Sequence, residues 1–127
     1  MKSITHNLLF CNKKTCINNE KNYPLMLKAI DIENKKIEIK NKENIITLFK
    51  KMDISGLNQF ISDLKIEKKF DLNEFEKNKE NQDFIEYLNN ILNEVQIING
   101  FLICKNCGRQ YEIKNGIVDM VLKDDEI

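Results

Sequence analysis

Tryptophan is absent, proline occurs once (Pro24), histidine once (His6), arginine once (Arg109) and glycine four times. Each scarcity excludes something. No run approaches the ~18 apolar residues of a membrane span; the longest are short, such as Leu8-Leu9-Phe10. The N-terminus has no apolar signal core, because His6, Asn7 and Asn12 interrupt it. The expected compartment is therefore cytosol or nucleus, where thiols stay reduced and disulfides are rare. A single histidine leaves one candidate for any base or Ser/His/Asp arrangement, and His6 reads as a surface or interface residue. No G-x-G-x-x-G or G-x-x-x-x-G-K occurs, so no phosphate cradle is visible. No acid pair stands out, and no independent catalysis is expected. Net charge is also missing, with 20 Lys+Arg against 20 Asp+Glu. That balance opposes phosphate gripping as the main task and gives little colloidal repulsion, as suits a chain that works in a complex.

What remains is ordinary in amount, with 127 residues, 42% hydrophobic and 31% charged. This is enough for one domain, or one domain with a small lobe. Lys (19), Ile (19) and Asn (18) dominate, the residues of AT-rich codons. Lysine abundance is thus codon drift before it is binding chemistry. Its distribution is uneven. Residues 1–42 carry nine Lys and four acids, whereas residues 43–93 carry seven and ten. The chain ends in Asp124–Glu126, which reads as a solvated tail.

The hydrophobic period changes twice. Residues 1–40 read as extended or irregular, with Ile30/Ile32 and Ile37/Ile39 at period two, a turn at Asn34 and a strand starting after Pro24. Residues 42–95 turn helical. Ile45, Leu48, Phe49 and Met52 form one stripe, and Leu57, Phe60, Ile61 and Leu64 a second with Asp53 or Ser55 as N-cap. Phe84, Leu88, Ile91, Leu92 and Val95 form a third. Glu67–Gln82 reads as a solvated loop with at most a helical turn around Phe70–Phe75. Residues 94–122 return to strands. Asn99-Gly100 and Asn115-Gly116 predict two tight hairpins, 94–98 with 101–105 and 109–114 with 117–122.

Chemistry concentrates in Cys11-x4-Cys16 and Cys104-x2-Cys107. Two short chelating loops let four thiolates reach one ion at ~2.3 Å. Cys104-Lys105-Asn106-Cys107-Gly108 has the form of a zinc knuckle. Zinc in a four-cysteine site leads; iron in the same cage, a Cys104–Cys107 redox pair and unmetallated thiols stand as alternatives. Four protein ligands leave no open position, so such a site is structural. The pairs are 87 residues apart, Ile17 to Ile103. One ion then joins the first sixteen residues to the last quarter of the chain.

The ends so joined are unusually apolar. Ser3–Phe10 and Ile117-Val118-Asp119-Met120-Val121-Leu122 exceed what a thin lobe can bury, and the surplus predicts a partner surface with an open strand edge. Phe101 and Tyr111 read as core or sheet residues. Lys13 and Lys14 are the best basic candidates near the metal, and read first as solvated.

These same residues carry a family resemblance. Met1, Lys2, Thr5, His6, Asn7, Leu9 and Cys11 match an opening M-K-x-x-T-H-N-x-L-x-C. Tyr23-Pro24-Leu25 and Lys51-Met52-Asp53 follow, and Val95 through Met120 matches a closing pattern around C-x-x-C-G-R. The chain resembles the multifunctional methyltransferase subunits, also called tRNA methyltransferase subunit 11-2 homologues. It departs where Ile54 stands for a common Trp, and at Glu112, Val118 and Asp119.

The resemblance implies a non-catalytic, zinc-binding activator of class I, S-adenosylmethionine-dependent methyltransferases. Such enzymes act on tRNA, rRNA or the translation termination factor, and S-adenosylmethionine is bound by the catalytic partner. One structural Zn2+ on Cys11, Cys16, Cys104 and Cys107 is expected, in a heterodimer. Thr5, Asn7, Leu8, Leu9, Phe10, Ile117, Val118, Asp119, Met120 and Val121 are the expected partner-binding residues. The expected fold class is α+β: a small zinc-bound antiparallel sheet from both termini (1–41 plus 94–127) with an inserted helical lobe (42–93). The rival reading is a free-standing zinc ribbon that binds RNA.

Overall fold

The computed structural model describes residues 1–65 and 72–122. Five helices are described: α1 (Ser3–Leu8), α2 (Lys42–Lys51), α3 (Ile54–Asp63), α4 (Leu72–Asn78) and α5 (Gln82–Asn89). The four strands are β1 (Met26–Asn34), β2 (Val95–Ile103), β3 (Gln110–Lys114) and β4 (Ile117–Val118). They form one antiparallel sheet in the order β1-β2-β3-β4. The α+β class and the sheet built from both ends of the chain are as the sequence led us to expect. Among the described residues no helix is long and apolar enough to cross a membrane.

Burial falls into two clusters. One is helical, centred on Ile45, Phe49, Leu57, Ile61, Phe84 and Leu88. The other fills the inner face of the sheet with Leu27, Ile97, Leu102, Tyr111 and Ile113, and includes Cys11, Cys16 and Cys104. Helix α3 serves both, sending Leu57 and Ile61 to the first and Phe60 to the second. The first two stripes lie on α2 and α3 as the 3.6-residue period put them; the third holds for Phe84 and Leu88 on α5, but Ile91 and Leu92 fall in a π-helical turn, Asn90–Glu94, and Val95 already opens β2.

A polar joint fixes the N-terminus to the helices. The Asn7 amide donates to the Asp53 carbonyl at 2.8 Å and accepts from the Asp53 N–H at 2.9 Å. Asp53 caps α3 by accepting from Gly56 N–H at 2.8 Å, so it, not Ser55, is the N-cap. The Tyr23 hydroxyl donates to the Asn7 carbonyl at 2.8 Å and to the Asp53 carboxylate at 3.2 Å. Burial, then the neighbouring Asp53 charge, pushes its pKa up to about 12.

Elsewhere the secondary structure differs from the sequence reading in five places. Residues 3–8 are helical, because the short apolar run has no decisive period and tertiary bonds choose: Ser3 Oγ donates to the Ile91 carbonyl at 3.0 Å. Asn34 is not a turn between two strands; β1 runs through to it, and Ile37 and Ile39 follow in irregular chain. The expected loop Glu67–Gln82 contains α4 and the start of α5, with Phe75 buried against Phe49 at a ring separation of 4.5 Å; Phe70 lies outside the described residues. Asn99-Gly100 makes no hairpin, since β2 passes straight through it. Gly100 sits in the strand because β1 approaches there: a Cβ would overlap the Lys28 carbonyl oxygen. Lastly, β4 covers only Ile117–Val118, though Asp119 N–H still reaches the Glu112 carbonyl at 2.9 Å. The hairpin at Asn115-Gly116 does form, with φ of 54° and 81°, the left-handed pair a type I′ turn requires.

Gly100→Ala is expected to cost about 1–3 kcal/mol, the usual range for overpacking. Urea unfolding followed by circular dichroism measures it; an unchanged midpoint would show that β1 yields without strain.

Candidate metal centre and docking surface

The cysteine pairs come from two turns at one end of the sheet. The first turn lies between α1 and β1. Its backbone is fixed by Cys11 N–H to the Asn22 carbonyl (3.0 Å) and Cys16 N–H to the Lys13 carbonyl (2.8 Å). The second links β2 to β3. There Cys104 N–H donates to the Arg109 carbonyl at 3.0 Å, and Gly108 N–H to the Cys104 carbonyl at 2.9 Å. The four Sγ atoms lie within 4.8 Å of one another. Cys11–Cys107 and Cys16–Cys104 are both 3.9 Å apart. A tetrahedron with ~2.3 Å metal–sulfur bonds has edges of ~3.8 Å. The donor set thus fits a metal ion, and the four cysteines are placed to bind one. Cys11, Cys16 and Cys104 are buried and Cys107 is exposed.

Donors surround the sulfurs. The Tyr111 hydroxyl lies 3.0 Å from Cys11 Sγ. Asn106 gives its side-chain amide to Cys16 Sγ at 3.2 Å and its backbone N–H to Cys104 Sγ at 3.3 Å. The titration of the group follows. Burial pushes the Cys11 thiol up, against the bond from Tyr111. Burial also raises Cys16, but bonds from Asn106 and its neighbours outweigh it and hold this thiol at about 7. Cys107, though exposed as a residue, is pushed up to about 12 by partial burial of its sulfur and then by the surrounding sulfurs, against a backbone bond from Arg109. Four thiolates cannot ionise together at this spacing without a cation. Asn106 and Tyr111 were not foreseen as sulfur partners. The only available signals were an amide inside the C-x-x-C loop and a Tyr where a Phe would pack equally well.

The residues expected at a partner surface divide. Leu8 (72% exposed), Phe10 (44%), Ile117 (74%) and Val121 (77%) point outward, as does Thr5. Leu9, Val118 and Met120 instead pack partly buried against the sheet cluster. Asp119 is exposed and accepts from Val121 N–H at 3.0 Å. Asn7 is not at the surface; it is buried and spent on Asp53. Both apolar ends therefore contribute one side to the core and one to the outside.

His6 also departs from expectation. It is fully buried, tilted against Phe60, with Nε2 2.7 Å from the Leu25 carbonyl. Nδ1 has no hydrogen-bond partner among the described residues. The ring is a structural strut, not a surface group, and Lys13 and Lys14 flank the first cysteine turn at its rim.

With this geometry in hand, the model of the Trm112p-like proteins matches residues 2–116. The chain belongs to the Trm112p-like family. Among Trm112 relatives, the multifunctional methyltransferase subunit trm112 of Schizosaccharomyces pombe is 29% identical, with all of both chains covered. The TRM112-like protein of Bos taurus is 28% identical over 99% of this chain and 98% of its own. The Saccharomyces cerevisiae subunit TRM112 is 27% identical over 96% of each. The fold is shared with a chain of the E. cuniculi Mtq2-Trm112 complex, described as responsible for methylation of the eRF1 translation termination factor. That match has a TM-score of 0.58, 23% identity and 95% coverage of each chain.

His6 yields a pH dependence. Burial depresses its pKa below the ordinary 6.5, with the Leu25 bond opposing. The unfolded chain therefore binds the proton first, and this contribution to stability is present above ~6.5 and lost as pH falls below it. Between pH 7.5 and 5.5 the parent is expected to lose more stability in urea than His6→Gln. Equal losses would assign the slope to other groups.

Proposed function

We propose that this chain is a non-catalytic activating and stabilising subunit of a class I, S-adenosylmethionine-dependent methyltransferase acting on a translation component. The observation that carries the reading is the outward apolar set Leu8, Phe10, Ile117 and Val121 on a chain that matches methyltransferase subunits over its full length. Exposed apolar side chains at both ends of a small lobe are what a permanent partner covers. S-adenosylmethionine belongs to that partner. The cytosol and nucleus, where thiolates persist, suit both the metal and the substrates.

The ion on Cys11, Cys16, Cys104 and Cys107 is one Zn2+. When bound it supplies a structural cross-link with no open position for water. The chain's own part is to hold it. Donors from buried Tyr111 and exposed Asn106 offset the thiolate charge, and the 11–16 and 104–107 turns are kept at one end of the sheet. In this reading, residues 1–41 plus 94–127 act as the docking lobe and 42–93 as its inserted helical support. The single histidine is locked against Leu25, and no catalytic step is assigned to any residue here.

Reduced protein should carry about one zinc per chain, and stripping it should unfold the lobe, since binding and folding are linked with about 10–16 kcal/mol at such sites. Metal analysis and circular dichroism test this; an absence of stoichiometric zinc sinks the assignment.

Val121→Asp should weaken the methyltransferase complex by about 2 kcal/mol, roughly thirtyfold in Kd, with zinc content unchanged. Met120→Lys should lower both, because Met120 also packs on the sheet cluster. Co-purified methyltransferase and bound zinc are measured together. Undiminished complex from Val121→Asp would move the interface elsewhere.

A further inference from the structure

Of the chain's 20 cationic residues, only Arg109 is an arginine. Where lysine is the drift default, a position that holds arginine invites the question of what its fork does there. The guanidinium lies over the Tyr111 ring, 4.3 Å from the centroid. Its Nη2 donates to the Val121 carbonyl at 3.2 Å and Nη1 contacts the Gln110 carbonyl at 3.4 Å. Its own backbone carbonyl accepts from Cys104 N–H at 3.0 Å. Arg109 thus stands with its backbone in the second cysteine turn, its ring contact on the tyrosine beside Cys11, and its fork on the C-terminal segment. A lysine ammonium offers neither a planar face to stack nor a second donor held in the same plane.

The segment it grips needs holding. Beyond Val118 the strand ladder ends, and residues 119–122 have no regular structure. Among the described residues, besides the Arg109 contact, the backbone there is tied by Asp119 N–H to the Glu112 carbonyl (2.9 Å) and by Val121 N–H to the Asp119 carboxylate (3.0 Å). Met120 and Leu122 pack only partly buried. Val121 itself is 77% exposed. Its side chain faces outward while its carbonyl is turned in toward Arg109.

We propose that Arg109 is the positioning residue that fastens segment 119–122 to β3 and the cysteine turn, so that Val121 and Ile117 are presented to the partner as a formed surface rather than assembled on binding. This rests on the docking role proposed above. A segment ordered before association loses less conformational freedom on binding. It also places the presenting contact one residue from β3 and five from Cys104, so the metal lobe and the docking surface share a strut.

The test uses the isolated, zinc-loaded full chain and needs no partner, so its failure is distinct from failure of the docking role. Residue-resolved amide hydrogen exchange is measured for the parent, Arg109→Lys and Arg109→Ala. Both variants should exchange the Asp119 and Val121 amides faster by roughly fivefold or more, the signature of local opening. The Leu102 and Ile113 amides and the zinc content should stay at parental values. If Arg109→Lys exchanges like the parent, charge alone suffices and the proposal falls. If zinc or the Leu102 amide is lost together with the segment, Arg109 is a general structural residue and the proposal falls as well.

Discussion

Cys11 and Cys16 meet Cys104 and Cys107 at one end of the sheet, and the rest of the architecture depends on that meeting. Bringing segments so distant in sequence together closes a long loop, whose entropic cost grows only slowly with length. A metal ion held by these four sulfurs would offset that cost at a single point. The chain then needs no continuous core between its ends. The helices fold around their own cluster, and α3 sends Phe60 across to the sheet. Without the sulfur cluster, β1 and β3 would still flank β2, but the 11–22 turn would have little to hold it beyond its own backbone bonds. Leu25 and Leu27 would lose the floor that Cys11 and Cys16 help to make.

A second joint, made of amides and carboxylates, complements the metal. Asn7, Tyr23 and Asp53 tie the N-terminal segment to the start of α3. His6 adds a buried bond to Leu25. The two joints explain why α1 is a helix. Its inner side must deliver Ser3, His6 and Asn7 to three different partners within six residues, which the helical rise allows and an extended strand would not. Thr5 and Leu8 then face outward by the same geometry.

Some of this was legible in the residues and some was not. The cysteine spacing pointed to the metal site because chelation constrains loop length directly. The helical stripes were legible because a wide apolar face has a strong period. The Asn115-Gly116 turn was legible, and the identical dipeptide at Asn99-Gly100 misled. An Asn-Gly pair says that left-handed backbone is tolerated, or that space is scarce, and only the approach of Lys28 decides which. His6 misled for a different reason. Histidine is intermediate in burial, and its place depends on a carbonyl nineteen residues away, at Leu25. Phe75 was hidden in a segment whose composition is solvated, because two aromatics, Phe70 and Phe75, in the sixteen residues 67–82 are too sparse to give a period. The family resemblance carried what periodicity could not, the nature of the partner.

The apolar ends show how a small lobe can be both stable and incomplete. Leu9, Val118 and Met120 face the sheet cluster, while Leu8, Phe10, Ile117 and Val121 face away. Alternation over so short a span means that neither set can be enlarged without reducing the other. A larger core would need longer strands, yet β4 stops after two residues. The truncated strand leaves backbone at the sheet edge and apolar side chains beside it, a combination that invites aggregation in a chain with no net charge to repel its copies. Such a surface is tolerable when a partner occupies it for most of the protein's life. The same shortage of core that favours a metal cross-link on the four cysteines also favours a partner, and both converge on residues 1–16 and 104–122.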